Sequence, residues 1–342
     1  MTRSEARSGA IDAVRVLGVV AVVAGHSLAI PVVRPLVYSW HVPLFFFLAG
    51  YFWSTQRPLL VEFRARTRTL ARPYLSWWVL IALVFVPLDA TRETTTGIRL
   101  LGPFVNGELS AMPYTTFWFV SALFATVILL RILWRLPRVL VWTIAVAGSV
   151  CGYLVGGALA QTPFAVGSAL PCLIFVMLGT LAPALRAHIG SPGLVGLVLL
   201  VVCAALVASK IAAPLDIKQG NYGTPVVSVL TASAISFALI LLAESLFARL
   251  AASRHVALNW WLNAGATRLA YAGLAVVLLH PLVLWLMLRF APPVPTWFVF
   301  VVTLTVPWLI GLAALCTPAS PWLTGVARVG PFSRPSRGRF SP

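Results

Sequence analysis

The first apolar run of the sequence carries polar side chains that could do chemistry inside a membrane. Asp12, Arg15 and His26 interrupt a run made otherwise of Val, Ala, Leu, Ile, Gly and Ser. Charged side chains are costly in hydrocarbon, so their presence in a span favours a functional or a paired role. Asp12 and Arg15 are three positions apart, a spacing that lets them pair on one helix face.

His26 lies on the same helix face as this pair. It follows Arg15 by eleven positions. At about 100° per residue, eleven steps end about 20° from a whole number of turns, and the rise is roughly 16 Å. We therefore expect a polar seam and a shared cavity that run from the inner boundary of the bilayer toward its outer half.

A histidine in such a seam suits acyl transfer to an alcohol. The hydroxyl must lose its proton as it attacks the acyl carbon, and an imidazole can accept that proton near neutral pH. Burial favours the neutral ring, which is the form that a base requires. The alternative is a structural histidine that donates to a backbone carbonyl. A lone buried histidine fits both interpretations equally, and the aligned Asp12 and Arg15 favour the chemical one.

The elements that position these residues are predicted to be transmembrane helices. Of the 342 residues, 60% are hydrophobic and only 10% are charged, whereas soluble domains carry about 25% charged residues. Only helices or closed barrels satisfy their backbone in lipid, and the length of the runs favours helices. We predict an all-α polytopic bundle of about ten spans: 11–33, 36–53, 74–88, 117–134, 139–158, 167–185, 193–212, 224–247, 269–290 and 297–316.

The basic residues predict how this bundle is oriented. The net charge of +17 is explained by arginine-rich cytoplasmic loops, and nucleic acid is not an expected partner. With the N-terminus inside, 19 of the 25 basic residues fall inside and 6 outside. We predict a multi-pass protein of the inner (cytoplasmic) membrane with both termini cytoplasmic. Residues 1–316 form the transmembrane domain, and residues 317–342 form a flexible basic tail.

Two further histidines and one tryptophan are candidate cavity residues. His41 follows the outer turn after the first span, so it can lie at the depth of His26, or it can be an interfacial histidine bonded to backbone. His280 falls near the middle of the ninth span, where a polar ring is costly, and it either lines the cavity or joins two helices. Trp118 is either a cavity residue or an interfacial anchor. No metal-ligand cluster is predicted.

A basic stretch after the second span is a candidate anion site. Arg64, Arg66, Arg68 and Arg72 lie on the predicted cytoplasmic side. Arginine binds phosphate through paired, charge-assisted hydrogen bonds, so the stretch could hold the phosphates of coenzyme A. From the residues alone, topogenic charge attracted to anionic headgroups is the favoured interpretation.

An ordered set of motifs resembles the acyltransferase 3 family. Residues 11–26 are similar to its first-helix pattern of Arg, ten residues, then His, and residues 40–52 are similar to its second-helix signature. The stretches 64–75, 117–124 and 278–282 supply further matches. The resemblance is closest to the sugar O-acetylase branch. Where the family commonly has Ser-Gly, this chain has Ala49-Gly50, so no role is assigned to that serine.

The resemblance implies an acyl-coenzyme A donor, His26 as the central catalytic residue and Arg66 and Arg68 as donor-site residues. The acceptor would be a hydroxyl of a carbohydrate, glycolipid or other envelope molecule, with acetyl the expected acyl group. No permanently bound cofactor is expected. A transporter or flippase of a lipid-linked sugar and a non-catalytic scaffold are the alternatives. The acceptor, the acyl chain length, the base or nucleophile role of His26, the choice between Arg64–Arg66 and Arg66–Arg68 as the donor-site pair, and the oligomeric state stay open.

Overall fold

The computed structural model describes residues 9–89, 93–252 and 256–330, and the regular secondary structure within them is helical apart from one isolated bridge between Asp216 and Asn221. The all-α prediction is confirmed. The α-helices, in chain order, are α1 Gly9–Ser27, α2 Val33–Tyr38, α3 His41–Tyr51, α4 Leu59–Arg66, α5 Arg72–Asp89, α6 Glu93–Val105, α7 Phe117–Leu133, α8 Arg138–Ala160, α9 Ala169–Ala187, α10 Pro192–Ala208, α11 Val227–Ala252, α12 Val256–Phe290, α13 Thr296–Leu315 and α14 Ser320–Leu323.

Several of these helices are long and apolar enough to cross a membrane, as a multi-pass protein requires. In the described residues seven helical segments qualify by length and composition, and α7 and α10 are apolar helices of 17 residues each. The number of ten spans is not confirmed. The predicted second span contains α3, whose 11 residues extend about 16 Å, about half of a roughly 30 Å hydrocarbon layer.

The first predicted span is too long at its outer end. It was placed at 11–33, but α1 ends at Ser27, and the short α2 starts at Val33. Pro31 explains the difference, since it has no N–H to donate to the carbonyl of Ser27, four residues earlier. His26 therefore lies in the last turn of α1, next to the chain reversal that leads to α3.

Helix α1 lies inside the bundle and packs against α12, α11 and α3. Val19 and Val23 on α1 belong to the main core together with Val276 on α12 and Phe46 on α3. A second apolar cluster joins Ile11 and Val14 to α3, α9 and α11 nearer the start of α1. Both ends of α1 are thus fixed, which holds His26 in a defined place.

Helices α3 and α9 approach each other closely because two glycines meet. A Cβ on Gly50 would lie 1.9 Å from the carbonyl oxygen of Val176, and a Cβ on Gly179 would lie 2.1 Å from that of Phe47. No larger residue fits without separating the helices. Small residues commonly mediate such contacts between membrane helices, and this one fixes the helix that begins with His41.

The packed part of the chain continues past residue 316, where the sequence placed the start of the flexible tail. The indole N–H of Trp77 donates to the carbonyl of Leu323 at 2.7 Å, and the N–H of Val329 donates to Leu315 at 2.9 Å. Residues on both sides of the predicted boundary thus take part in hydrogen bonds with the helical bundle. Residues 331–342 lie outside the described residues.

Candidate functional site

Two histidines from helices far apart in sequence form the centre of the site. Nδ1 of His26 on α1 lies 2.9 Å from Nε2 of His280 on α12, across a sequence separation of 254 residues. The ring centroids are 5.1 Å apart, with the ring planes inclined by 21°. His280 is fully buried, whereas His26 is half-buried at the edge of a cavity.

The hydrogen bonds of His280 determine which nitrogen of His26 is protonated. Nδ1 of His280 lies 3.0 Å from the carbonyl oxygen of Val276, which can only accept, so this nitrogen carries the proton. In the neutral ring Nε2 is then the acceptor, and Nδ1–H of His26 donates to it. Nε2 of His26 is left with a free lone pair, the arrangement that a proton acceptor needs.

Pro281 shapes α12 beside this pair. Because proline has no backbone N–H, the carbonyl of Val277 lacks its usual donor in the helix. The hydroxyl of Thr116 donates to that carbonyl at 2.7 Å, which ties the segment preceding α7 to α12 one turn from His280. The sequence Leu279-His280-Pro281 thus supplies both the buried ring and an attachment point for the cavity wall.

A cavity of about 290 Å³ opens in front of His26. On α1 its wall includes Val22 and Gly25. The polar part of the wall comes from the connections between α1 and α3, between α6 and α7 and between α10 and α11, which the charge bias of the sequence predicts to be outer. His280 is not among the lining residues: it lies behind His26, where its two nitrogens bond to Val276 and His26. The structure therefore places His280 as a partner of His26 rather than as a group that faces the cavity.

The two other candidates predicted near His26, His41 and Trp118, do line this cavity. His41 is buried, and its Nδ1–H donates to the carbonyl of Val37 at 2.7 Å, so its Nε2 is also unprotonated in the neutral ring. Its bond is to backbone, whereas His26 bonds to another side chain. Trp118 is buried at the start of α7.

Sequence reasoning missed the charged side chains of the outer wall. Arg34, Asp216 and Lys218 line the same cavity as His26. Arg34 donates to Asp216 at 3.0 Å, and the Lys218 ammonium donates to the carbonyl of Ser110 at 2.6 Å and to the hydroxyl of Thr115 at 2.8 Å. The available signal was that both lysines of the chain, Lys210 and Lys218, fall in one outer connection.

The outer connection 209–226 is held in place by a glycine that no other residue could replace. Gly220 adopts φ +69°, and a Cβ there would lie 2.1 Å from the backbone of Gly156 on α8. Leu215 and Ile217 are buried in the main core, and the N–H of Leu215 donates to the carbonyl of Tyr38 at 3.1 Å. This anchoring sets the positions of Asp216 and Lys218 in the cavity wall.

Asp12 and Arg15 pair as the spacing predicted, but away from the cavity. Arg15 donates to the buried Asp12 at 2.7 Å, and its guanidinium lies 4.9 Å from the ring centroid of Phe52. Arg15 is not among the residues that line the cavity of His26, whose wall on α1 reaches only to Val22. The expected shared cavity between Arg15 and His26 is therefore absent from the wall that the structure describes.

The four arginines of the basic stretch are in different surroundings. Arg64 and Arg68 are exposed, and Arg72 stacks on Trp322 with 5.1 Å between guanidinium carbon and ring centroid. Arg66 donates to Glu62 at 2.7 Å. A five-residue π-helical turn, Thr67–Ala71, separates α4 from α5 and shifts the helix phase between these arginines.

Glu62 explains the engagement of Arg66. Its side chain is 1% exposed, and Arg57 and Arg131 lie 3.0 Å and 3.5 Å from it, besides Arg66. A buried carboxylate needs such partners, because losing them would leave an uncompensated charge. Arg66 thus has a structural contact that Arg68 lacks among the contacts described.

The fold and the site define an integral membrane protein with a histidine pair beside a polar cavity. Comparison with known proteins shows which class this is: the family model "Acyltransferase domain" (acyltransferase 3) matches residues 8–320, and the chain belongs to that family. The chain is therefore a membrane protein of the acyltransferase 3 family. A curated relative, the nodulation protein NolL of Mesorhizobium japonicum, is 28% identical over 116 residues, which are 32% of this chain and 28% of NolL. No solved structure matches the chain.

Proposed function

We propose that this protein transfers an acyl group, with acetyl the expected one, from acyl-coenzyme A to a hydroxyl of a carbohydrate or other envelope molecule. His26 acts as the general base. The observation that carries the proposal is the forced tautomer of His26, whose Nε2 lone pair is available at a polar cavity. Membership of the acyltransferase family supports the class of reaction.

The groups at this site account for each proton transfer in the proposed reaction. Nε2 of His26 takes the proton of the acceptor hydroxyl while the hydroxyl oxygen attacks the thioester carbonyl carbon. The tetrahedral intermediate collapses, the C–S bond breaks, and the coenzyme A thiolate leaves. The proton on Nε2 then passes to that thiolate. His280 accepts the Nδ1–H bond throughout and stabilises the imidazolium that forms between the two proton transfers.

The donor and the acceptor are proposed to reach His26 from opposite faces. Arg68, with Arg66, Arg64 and Arg72 nearby, would bind the coenzyme A phosphates on the cytoplasmic face, where the charge bias places the termini. Since the cavity wall on α1 ends at Val22, the acyl arm must pass the stretch between Arg15 and Val22 to reach His26. The acceptor would enter through the outer cavity.

The test is thioester turnover by the purified full chain. Wild type, His26→Gln and His188→Gln are incubated with labelled acetyl-coenzyme A and a panel of sugar acceptors. His188 is the control, since its Nδ1–H donates to a backbone carbonyl (Ala184, 2.8 Å) and its side chain is exposed, so the same substitution is made away from the cavity. Turnover should fall by about 100-fold or more in His26→Gln and be unchanged in His188→Gln.

Equal turnover by wild type and His26→Gln would reject the catalytic role of His26. A folded wild type that turns over no thioester with any acceptor would instead favour the transport or scaffold alternatives. Trapping of a labelled acyl group on His26 after rapid quenching would assign it the role of nucleophile in place of base.

A further inference from the structure

The outer wall of the cavity carries one positive charge that no neighbouring carboxylate neutralises directly. Arg34 and Asp216 form an ion pair at 3.0 Å. Lys218 contacts two uncharged acceptors, the carbonyl of Ser110 and the hydroxyl of Thr115. Among the described residues no carboxylate lies within ion-pair distance of its ammonium, and the two histidine rings that face the cavity are neutral in the arrangement derived above.

The acids nearest to Lys218 are already engaged. Asp216 accepts from Arg34, and Glu108 accepts from the side-chain amide of Gln161 at 2.7 Å. Burial lowers the pKa of Lys218, and the charges of Asp216 and Glu108 only partly oppose that shift. An ammonium has three N–H donors, and the described protein contacts use two of them. The lysine therefore has the capacity to bind an anion that enters the cavity.

We propose that Lys218 binds a carboxylate or phosphate carried by the acceptor close to the hydroxyl that is acylated. This inference rests on the proposed function, because it assumes that the outer cavity receives the acceptor. A lysine suits the task because its ammonium is a compact charge that stays held by Ser110 and Thr115 while a third donor is directed to the ligand. The acceptors would accordingly be acidic sugars or sugar phosphates in preference to neutral glycans.

A purely structural lysine would join the outer connection 209–226 to the segment 106–116 and show no ligand preference. Binding probes separate the two roles without requiring turnover. The full chain in lipid nanodiscs is treated with diethyl pyrocarbonate, and modification of His26 is followed by peptide mass spectrometry. Methyl β-glucuronide is the anionic probe and methyl β-glucoside the neutral one, which differ only at the carboxylate.

The glucuronide should protect His26 at a concentration about 10-fold lower than the glucoside does. Lys218→Met should abolish this preference and Lys218→Arg should keep it. Lys210→Met is the matched control, an exposed lysine of the same connection, and should behave as wild type. Equal protection by the two probes, absence of protection by either, or a preference that survives Lys218→Met would overturn the proposal.

Three further outcomes identify which proposal fails. Acetyl-coenzyme A is also an anion, so Lys218 could bind the donor instead of the acceptor. If acetyl-coenzyme A, and neither sugar probe, protects the Lys218 amine from acylating reagents, Lys218 binds the donor and the proposal is overturned. Turnover without any anion preference would leave the acyltransferase function intact and reject the role of Lys218. An anion preference in a protein that never turns over thioester would support the site and reject the function on which it rests.

Discussion

At the scale of single residues, the chemistry depends on the order of three hydrogen-bonding groups. The carbonyl of Val276 accepts from His280, and His280 accepts from His26, so each proton position follows from the one before it. His280 is not among the residues that line the cavity of His26, so a positioning role through His26 suits it better than direct contact with a substrate. Its burial excludes water, which could otherwise replace it as the acceptor from Nδ1 of His26.

His280→Phe should lower kcat about 10- to 100-fold, because Nδ1 of His26 loses its acceptor and the ring loses its fixed tautomer. The KM for acetyl-coenzyme A should stay the same. His280→Gln, whose amide oxygen can accept from Nδ1–H, should recover part of the rate. Nitrogen-15 NMR of labelled histidine checks the cause. In wild type the neutral ring of His26 should carry its proton on Nδ1, and in His280→Phe it should be a mixture of the Nδ1–H and Nε2–H tautomers.

His188→Phe is the control for this measurement, since it removes a similar bond to a backbone carbonyl at an exposed position. It should change neither the rate nor the His26 resonances. An unaltered tautomer of His26 in His280→Phe, or a loss of thermal stability that accounts for the whole loss of rate, would make His280 a structural residue only.

The sequence alone predicts His26 as a candidate for the central functional residue, but it does not predict that His280 is the hydrogen-bond partner of His26. The spacing to Arg15 and the family resemblance both pointed to His26, and the predicted pairing of Asp12 with Arg15 is confirmed. The contact with His280 spans 254 residues and depends on how α1 packs against α12, which no local pattern encodes. From the sequence, Lys218 was only one of the basic residues predicted to lie outside. That its side chain lines the cavity depends on how the connection 209–226 folds.

At the scale of elements, a π-helical turn separates Arg64 and Arg66 on α4 from Arg72 on α5 and changes the helix phase between them. The N–H of Arg72 donates to the carbonyl of Thr67, a bond to the fifth residue back, so one extra residue is accommodated between α4 and α5. Arg66 stays on the side of Glu62, whereas Arg68 is exposed. The sequence left the Arg64–Arg66 and Arg66–Arg68 pairs as alternatives, and the buried Glu62 gives Arg66 a structural contact that Arg68 lacks among the contacts described.

Arg68→Gln should raise the apparent KM for acetyl-coenzyme A about 10-fold, as expected for the loss of one charge-assisted phosphate contact, with no change in melting temperature. Arg66→Gln should also lower the melting temperature, because Glu62 loses its closest partner. Arg249→Gln, an exposed arginine at the inner end of α11, is the control for general surface charge.

An unchanged KM in Arg68→Gln would reject the donor-site assignment and leave the stretch as topogenic charge. A similar rise in KM in Arg249→Gln would show that bulk electrostatic attraction of coenzyme A, and not a defined contact, is responsible.

At the scale of the whole molecule, the composition was enough to predict a helical membrane protein, but not where each helix ends. A span predicted from an apolar run does not show where a helix breaks inside that run. The prediction therefore continued α1 beyond Pro31 and treated the 11-residue α3 as part of a full span. It also missed the packing of residues 317–330 against α5, which depends on single hydrogen bonds such as that from Trp77 to Leu323.

The proposed function requires the two substrates to bind at different places on the molecule. Arg68 is not among the residues that line the cavity of Lys218, and His26 lies in the last turn of α1 beside that cavity. A chain that joins a cytoplasmic thioester to an acceptor on the other face must transfer the acyl group across most of the bilayer. This directionality is the central claim of the proposed function.

The most direct test is a sided assay in proteoliposomes whose orientation is determined by labelling of the exposed Lys210 with a membrane-impermeant amine reagent. Product should form when acetyl-coenzyme A is on the Arg68 face and an active acceptor from the panel is on the Lys218 face. It should be absent in His26→Gln. Equal product when the donor and the acceptor are both confined to the Arg68 face would contradict transfer through the outer cavity at His26.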